Sequence, residues 1–180
     1  AIRSQNLFGL GGPKVTELEK EIASLYGVKH AVASTSGTAA IHIAVGTINP
    51  EPGDEVITAP NSFVATASAI VLAGARPVFV DVRDDYNLDP DLIEPAVTSN
   101  TKAILPVHLT GRPADMDPIN EVADRHGLRV IEDAAQAVAA EYRGKRAGSL
   151  GDIGCFSLHP LKTLSACGDG GVLTTDDEAL

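Results

Sequence analysis

The chain has no tryptophan, a single methionine, two cysteines and only 4% aromatic residues in 180 positions. The cysteines, Cys155 and Cys167, lack any CxxC partner, so neither a zinc site nor a disulfide framework is indicated. Each reads as a small buried hydrophobe, and no metal is expected. Basic residues are also scarce: 14 Lys and Arg stand against 24 Asp and Glu, a formal net charge of −10. Without a basic block, neither a nucleic-acid backbone nor an anionic membrane surface is expected as a partner, and any phosphate must be held locally. No apolar run approaches the ~18 residues of a spanning helix. The stretch Ala1 to Gly12 lacks the basic and apolar regions of a signal peptide, so a cytoplasmic home is expected.

Hydrophobic residues make up 44% of the chain, enough for one good-sized core. Val15, Leu18, Ile22 and Leu25 recur at helical spacing between Pro13 and Gly27, which predicts a helix with one apolar face. A short strand, Ala31 to Ala33, then leads through Ser34-Thr35-Ser36-Gly37-Thr38 into a helix over Ala39 to Val45. The alternation continues with a strand at Glu55 to Thr58, a helix from Val64 to Ala73 closed by Gly74, and a strand from Pro77 to Val82. Asp89-Pro90 caps a short helix, and Lys102 to Val107 is strand-like. Asp117-Pro118 opens a helix ending at Gly127, and the strand Leu128 to Glu132 delivers Asp133 at its C-terminal edge. Strands spaced by helices predict an α/β fold, a largely parallel sheet with helices on both faces. Beyond it come a hairpin over Glu141 to Ala147, strands at Ile153 to Leu158 and Gly171 to Thr175, and a helix beginning in Asp176 to Leu180.

Three places carry candidate chemistry. Ser36, Gly37 and Thr38 sit between a strand and a helix, where free amides and the helix dipole can cradle a phosphate; the same residues also read as an ordinary cap. Gly9-Leu10-Gly11-Gly12 is weaker, because no strand precedes it. Asp133 is placed where open α/β sheets bind ligands, either as a helix cap or as the partner of a protonated pyridine nitrogen. Gln136 then reaches a phenolic oxygen of the same ring. Lys162 follows an apolar strand and precedes Gly168-Asp169-Gly170-Gly171. Most lysines are solvated, but apolar flanks would desolvate this amine and fit it to attack an aldehyde. Ser157 offers a hydroxyl to the phosphate cradle. Arg143, Lys145 and Arg146 read as a solvated hairpin face in preference to a diphosphate grip.

Further blocks are Gly11-Gly12-Pro13, Pro52-Gly53-Asp54-Glu55-Val56-Ile57, Phe63-Val64-Ala65-Thr66 and Pro77-Val78-Phe79-Val80-Asp81. After them come Pro106-Val107-His108-Leu109, Glu132-Asp133-Ala134-Ala135-Gln136, Gly148-Ser149-Leu150-Gly151-Asp152 and Phe156 to Lys162. In this order they resemble the DegT/DnrJ/StrS-type nucleotide-sugar aminotransferases of the aspartate-aminotransferase fold (fold type I), along essentially the whole chain. The resemblance implies a pyridoxal 5'-phosphate enzyme that moves an amino group from an amino acid, usually glutamate, to a keto group on a nucleotide-linked sugar.

It further implies Lys162 as the Schiff-base lysine and proton shuttle, Asp133 as the pyridinium partner and Gln136 as the contact to the phenolic oxygen. Ser36, Gly37, Thr38 and Ser157 would hold the phosphate. Phe63 would stack on the ring, or else be an ordinary core residue, and His159 would contact substrate or pack beside the lysine. A homodimer is implied. So is a smaller C-terminal domain missing here, which makes residues 1–180 the cofactor-binding large domain. Thr163 and Val138-Ala139 stand where the family often has Asn and His-Gly, which bears on substrate preference. Three alternatives remain: a sugar dehydratase of the same fold, against which Lys162 argues, an enzyme of this fold acting on amino acids only, and a non-catalytic fragment that only binds cofactor or dimerises.

Overall fold

Successive side chains along the strands part to opposite sides of one sheet, and that alternation places every helix. The computed structural model describes residues 12–180, so the glycine run from Gly9 to Gly11 and the stretch Ala1 to Gly11 lie outside the described residues. Helices α1 (Pro13–Tyr26), α2 (Gly37–Thr47) and α3 (Val64–Leu72) alternate with strands β1 (His30–Ser34), β2 (Glu55–Thr58) and β3 (Arg76–Phe79). The short helix α4 (Ile93–Ala96) and the longer α5 (Met116–His126) flank β4 (Thr101–Leu105), and β5 (Arg129–Asp133) follows. A hairpin of β6 (Glu141–Tyr142) and β7 (Lys145–Arg146) precedes β8 (Ile153–Ser157) and β9 (Gly171–Thr175).

One side of the sheet carries Val56, Ala103, Leu105, Ile131, Ile153 and Cys155 against Ala40, Ile41, Ala44 and Val45 of α2 and Ala69 and Ile70 of α3. Their chain neighbours Ile57, Ile104 and Val130 face Ile93 of α4 and Met116, Ile119 and Val122 of α5. On that second side, Phe156 and Val172 pack with Ile22 and Tyr26 of α1. The expectation of helices on both faces therefore holds, and the buried strands follow from it.

The seven strands run in the order β1-β9-β8-β5-β4-β2-β3. β2 pairs parallel with β3 and β4, β4 with β5, and β5 with β8, whereas β9 is antiparallel to β1 and β8. The sheet is thus parallel except for β9. Its reversal has a consequence for the site: Gly171, the first residue of β9, lies beside Ser34 and Ser157, the last residues of β1 and β8.

Several boundaries differ from expectation. α1 buries Tyr26 where Leu25 was expected, and Leu25 is 44% exposed. Tyr26, one turn beyond Ile22, instead meets the ring of Phe156 with centroids 4.6 Å apart. β4 stops at Leu105 because Pro106 has no N–H for the ladder, although Val107 still bridges to Asp133. α2 begins at Gly37, earlier than expected, and β3 ends at Phe79, before Val82. Asp176 to Leu180 forms a turn and not the expected helix, with Asp176 Oδ1 accepting from the Lys29 amide at 2.8 Å. Cys155 is buried as read, but Cys167 is exposed.

Gly148 is a tight point in this core. It adopts φ +92°, and a Cβ there would run into the ring of Phe156. A Gly148→Ala variant is expected to lose about 2–3 kcal/mol of stability through overpacking and backbone strain, readable as a lower urea midpoint with an unchanged m-value.

Candidate active site

The parallel strands all end on one edge, and the loops leaving that edge enclose a cavity of about 470 Å³. Its wall contains every residue singled out from the sequence: Ser36, Gly37, Thr38, Phe63, Asp133, Gln136, Ser157, His159 and Lys162. They stand at the last residues of β5 and β8, at the start of α2 and in the segments after β2, β5 and β8, up to 126 residues apart in the chain. Topology alone brings them together.

Between β1 and α2 the backbone turns into a capped helix start. Ser36 caps the helix, its Oγ accepting from the Ala39 amide at 3.0 Å. The amides of Gly37 and Thr38, the first two in the helix, find no acceptor among the described residues and stand at its positive end. The Ser36 side chain thus caps the helix, and the Gly37 and Thr38 amides stand apart from that cap. Gly37 has to be glycine: a Cβ there would lie 2.6 Å from Ser157 Cβ. That close approach sets the Ser157 side chain, 7% exposed, beside the free amides.

Asp133 ends β5 pointing to the α2 and α3 side. Its Oδ2 accepts from Thr66 Oγ1 at 2.8 Å and its Oδ1 from the Ala135 amide at 3.2 Å. Burial pushes its carboxyl above the usual range; the Thr66 and Ala135 hydrogen bonds, and after them the Lys162 charge, pull it back. Such a carboxylate is short of a cation. Gln136 Oε1 accepts from the Thr110 amide at 3.2 Å, which leaves its NH2 group to donate elsewhere.

Lys162 sits in a turn in which its amide donates to the His159 carbonyl at 2.8 Å. Its flanks are not the apolar cover expected: Leu161 is 89% exposed, and His159 and Pro160 are exposed as well. Lys162 itself is half-buried, because the turn projects over the cavity mouth while β8 beneath it stays in the core. Phe63 is 67% exposed at the same mouth, which removes the reading of it as a core residue. The His159 Nδ1 accepts from the Leu161 amide at 3.2 Å, so only its other nitrogen is available to the cavity. Arg143 pairs with Asp117 on the hairpin face, far from a diphosphate role.

Four residues with no assigned role belong to the neighbourhood. Ser62 and Thr66 lie at the start of α3. His108 and Glu132 form a fully buried pair, with Nε2···Oε2 at 2.8 Å. The His108 Nδ1 accepts from the Ala114 amide at 3.1 Å, so the imidazole proton is on Nε2 and points at Glu132. The Glu132 carboxylate also accepts from the amides of Gly148, Leu150 and Gly151 at 2.6, 2.7 and 2.8 Å. Period-two alternation sends Glu132 and Asp133 to opposite sides of the sheet, the first into structure and the second into the cavity. A Glu132→Ala variant is expected to strand four donors at once and to cost about 3 kcal/mol, checked by thermal or urea unfolding. The readable signal was a glutamate inside a buried strand, which demands partners.

Comparison with known proteins places this geometry. The chain is 48% identical over 190 aligned positions to the UDP-N-acetyl-3-dehydro-alpha-D-glucosamine 3-aminotransferase of Acidithiobacillus ferrooxidans, covering 99% of this chain and 52% of the relative. An aminotransferase structure from Psychrobacter cryohalolentis superposes with a TM-score of 0.96 at 41% identity, over 99% of this chain and 45% of that one. NtdA from Bacillus subtilis, solved with bound cofactor PMP, gives a TM-score of 0.88 at 41% identity over 93% of this chain and 38% of its own. The chain spans about half the length of the curated relatives it matches. The fold is thus shared with solved aminotransferase structures. The chain belongs to the DegT/DnrJ/EryC1/StrS aminotransferase family, whose model it matches over residues 1–180.

Proposed function

We propose that this chain is the cofactor-binding large domain of a pyridoxal 5'-phosphate-dependent aminotransferase that moves an amino group from an amino acid, glutamate in the first instance, to a keto group on a nucleotide-linked sugar. One observation carries the reading: a buried carboxylate lacking a cation, two free helix-terminal amides and a lysine face a single cavity.

The residues fit the cofactor by their chemistry. Gly37 and Thr38 amides with the Ser36 and Ser157 hydroxyls would hold its phosphate, an anion at a helix N-terminus. Asp133 would take a protonated ring nitrogen, the cation its environment lacks. Gln136, its carbonyl turned to the Thr110 amide, would donate through its NH2 group to the phenolic oxygen. Phe63 would cover one face of the ring, and Lys162 would anchor the group covalently through Nζ. When bound, pyridoxal 5'-phosphate supplies an electron sink that stabilises negative charge at the donor's Cα. The chain's own contribution is orientation and proton handling. Asp133 keeps the ring cationic, and Lys162, once its Nζ is free, is placed to move a proton. His159 is proposed as a substrate contact.

Homodimeric assembly and a cytoplasmic location belong to the same proposal. Exposed Phe63 and Leu161 at the cavity mouth support the first. Among the described residues no helix is long and apolar enough to cross a membrane, and no group of three or more His, Cys, Asp or Glu is placed to hold a metal ion.

The test is a visible spectrum with added pyridoxal 5'-phosphate, followed by borohydride reduction and peptide mass analysis. The expected result is one reduced adduct, on Lys162, and conversion of the spectrum on adding glutamate. A stable spectrum that glutamate never changes would instead favour a binding module, and an adduct on another amine would remove Lys162 from its role. A panel of keto-sugar and keto-acid acceptors then distinguishes sugar from amino-acid chemistry.

A further inference from the structure

The hydroxyl of Thr66 is 2.8 Å from Asp133 Oδ2 on one side and 2.8 Å from the Ser62 hydroxyl on the other. Thr66 is 1% exposed, in the first turn of α3, where its amide is anchored to the Phe63 carbonyl at 3.1 Å. Ser62 lines the cavity. A hydroxyl has one hydrogen, and an ionised carboxylate can only accept. Thr66 must therefore give its hydrogen to Asp133, and its own oxygen must accept from Ser62. The chain of hydrogen bonds has one direction, Ser62 to Thr66 to Asp133. Were Asp133 to donate from a protonated Oδ2, Thr66 would accept from it, and the direction of the Ser62 bond would no longer be set.

We propose that Thr66 is a positioning residue that holds Asp133 as a carboxylate aimed into the cavity, and that Ser62 supports it by donating to the Thr66 oxygen. Thr66 touches neither the reacting atoms nor open solvent. It acts through Asp133. The other titratable groups facing Asp133 are His108 from the loop after β4, Lys162 from the turn after β8 and the buried Cys155 thiol on β8. Burial opposes the charge on Asp133, and among the groups offsetting it the Thr66 hydroxyl is the largest. A hydrogen bond to a charged group is stronger than one between neutral partners, so the loss of this one is measurable. The effect on cofactor affinity rests on the function proposed above, whereas the effect on Asp133 does not.

Three variants test it: Thr66→Val, which keeps the branched shape, Thr66→Ser, which keeps the hydroxyl, and Ser62→Ala. Two quantities are read: the dissociation constant for pyridoxal 5'-phosphate, and the titration midpoint of the Asp133 carboxyl carbon by NMR in cofactor-free protein. Loss of the signal in Asp133→Asn assigns it. Thr66→Val is expected to weaken binding by roughly 10-fold or more and to move the midpoint upward. Thr66→Ser should restore both, and Ser62→Ala should shift both in the same sense by a smaller amount, about 2- to 3-fold in affinity.

An unmoved midpoint in Thr66→Val overturns the proposal, as does a Thr66→Ser variant no better than valine. If the wild-type protein takes up no pyridoxal 5'-phosphate, the proposed function fails and the NMR midpoint alone decides the role of Thr66. Should Thr66→Val not fold, Ser62→Ala decides, and an unchanged midpoint there refutes the coupling.

Discussion

A Lys162→Ala variant is expected to lose transamination by roughly 10⁴-fold or more while still binding pyridoxal 5'-phosphate reversibly. Two losses combine. Proton transfer by a positioned side chain contributes roughly 10²–10⁴-fold, and removal of the covalent anchor takes away the nucleophile as well. The remaining contacts are spread over α2, β5 and β8, so the phosphate and ring sites persist. Equilibrium dialysis should show retained binding, and borohydride should leave no adduct on the chain. Stability should change little, because Lys162 sits half-buried on a turn with its side chain in no hydrogen bond or ion pair among the described residues. Full activity in this variant would move the chemistry to a different amine. Loss of all binding would show that the remaining contacts do not hold the cofactor without the covalent anchor.

The parts of the site that could be read from the sequence are those with a local signal. Ser36-Gly37-Thr38 stands between an apolar strand and a helix, and Asp133 ends an apolar run, so each position follows from periodicity and neighbours. The sheet was legible for the same reason, since strands separated by helices leave few arrangements. The reversal of β9 was not, because antiparallel and parallel strands carry the same apolar pattern when both faces are covered.

Thr66 was out of reach for a different reason. Its partner Asp133 is 67 residues away in the chain, and only the docking of α3 against β5 joins them. Lys162 shows the opposite error: apolar neighbours in sequence suggested a desolvated amine, yet Leu161 turns outward. In a turn, adjacent residues do not share an environment.

An Asp133→Asn variant should separate stability from function. Removing one partner of a buried charge pair costs about 2–5 kcal/mol, so affinity for pyridoxal 5'-phosphate is expected to fall roughly 30- to 5,000-fold. The cofactor-free protein should move the other way. Burial raises the Asp133 carboxyl above its usual range, so the folded state holds this proton more tightly than the unfolded chain does. The group's contribution is then most favourable below the unfolded value of about 3.9 and is lost as pH rises through the folded one.

At neutral pH Asp133 is therefore a cost to the empty protein, one that the ring's charge would offset on binding. Asparagine carries no such cost, and its amide can still accept from Ala135 and donate to Thr66. Without cofactor, Asp133→Asn should melt above wild type near pH 8, by roughly 2–4 °C for each kcal/mol removed, and the two should converge toward pH 4. With saturating cofactor the order should invert. Equal melting temperatures across that range would show that Asp133 is already compensated in the empty site, and the cation it is said to await would have no place.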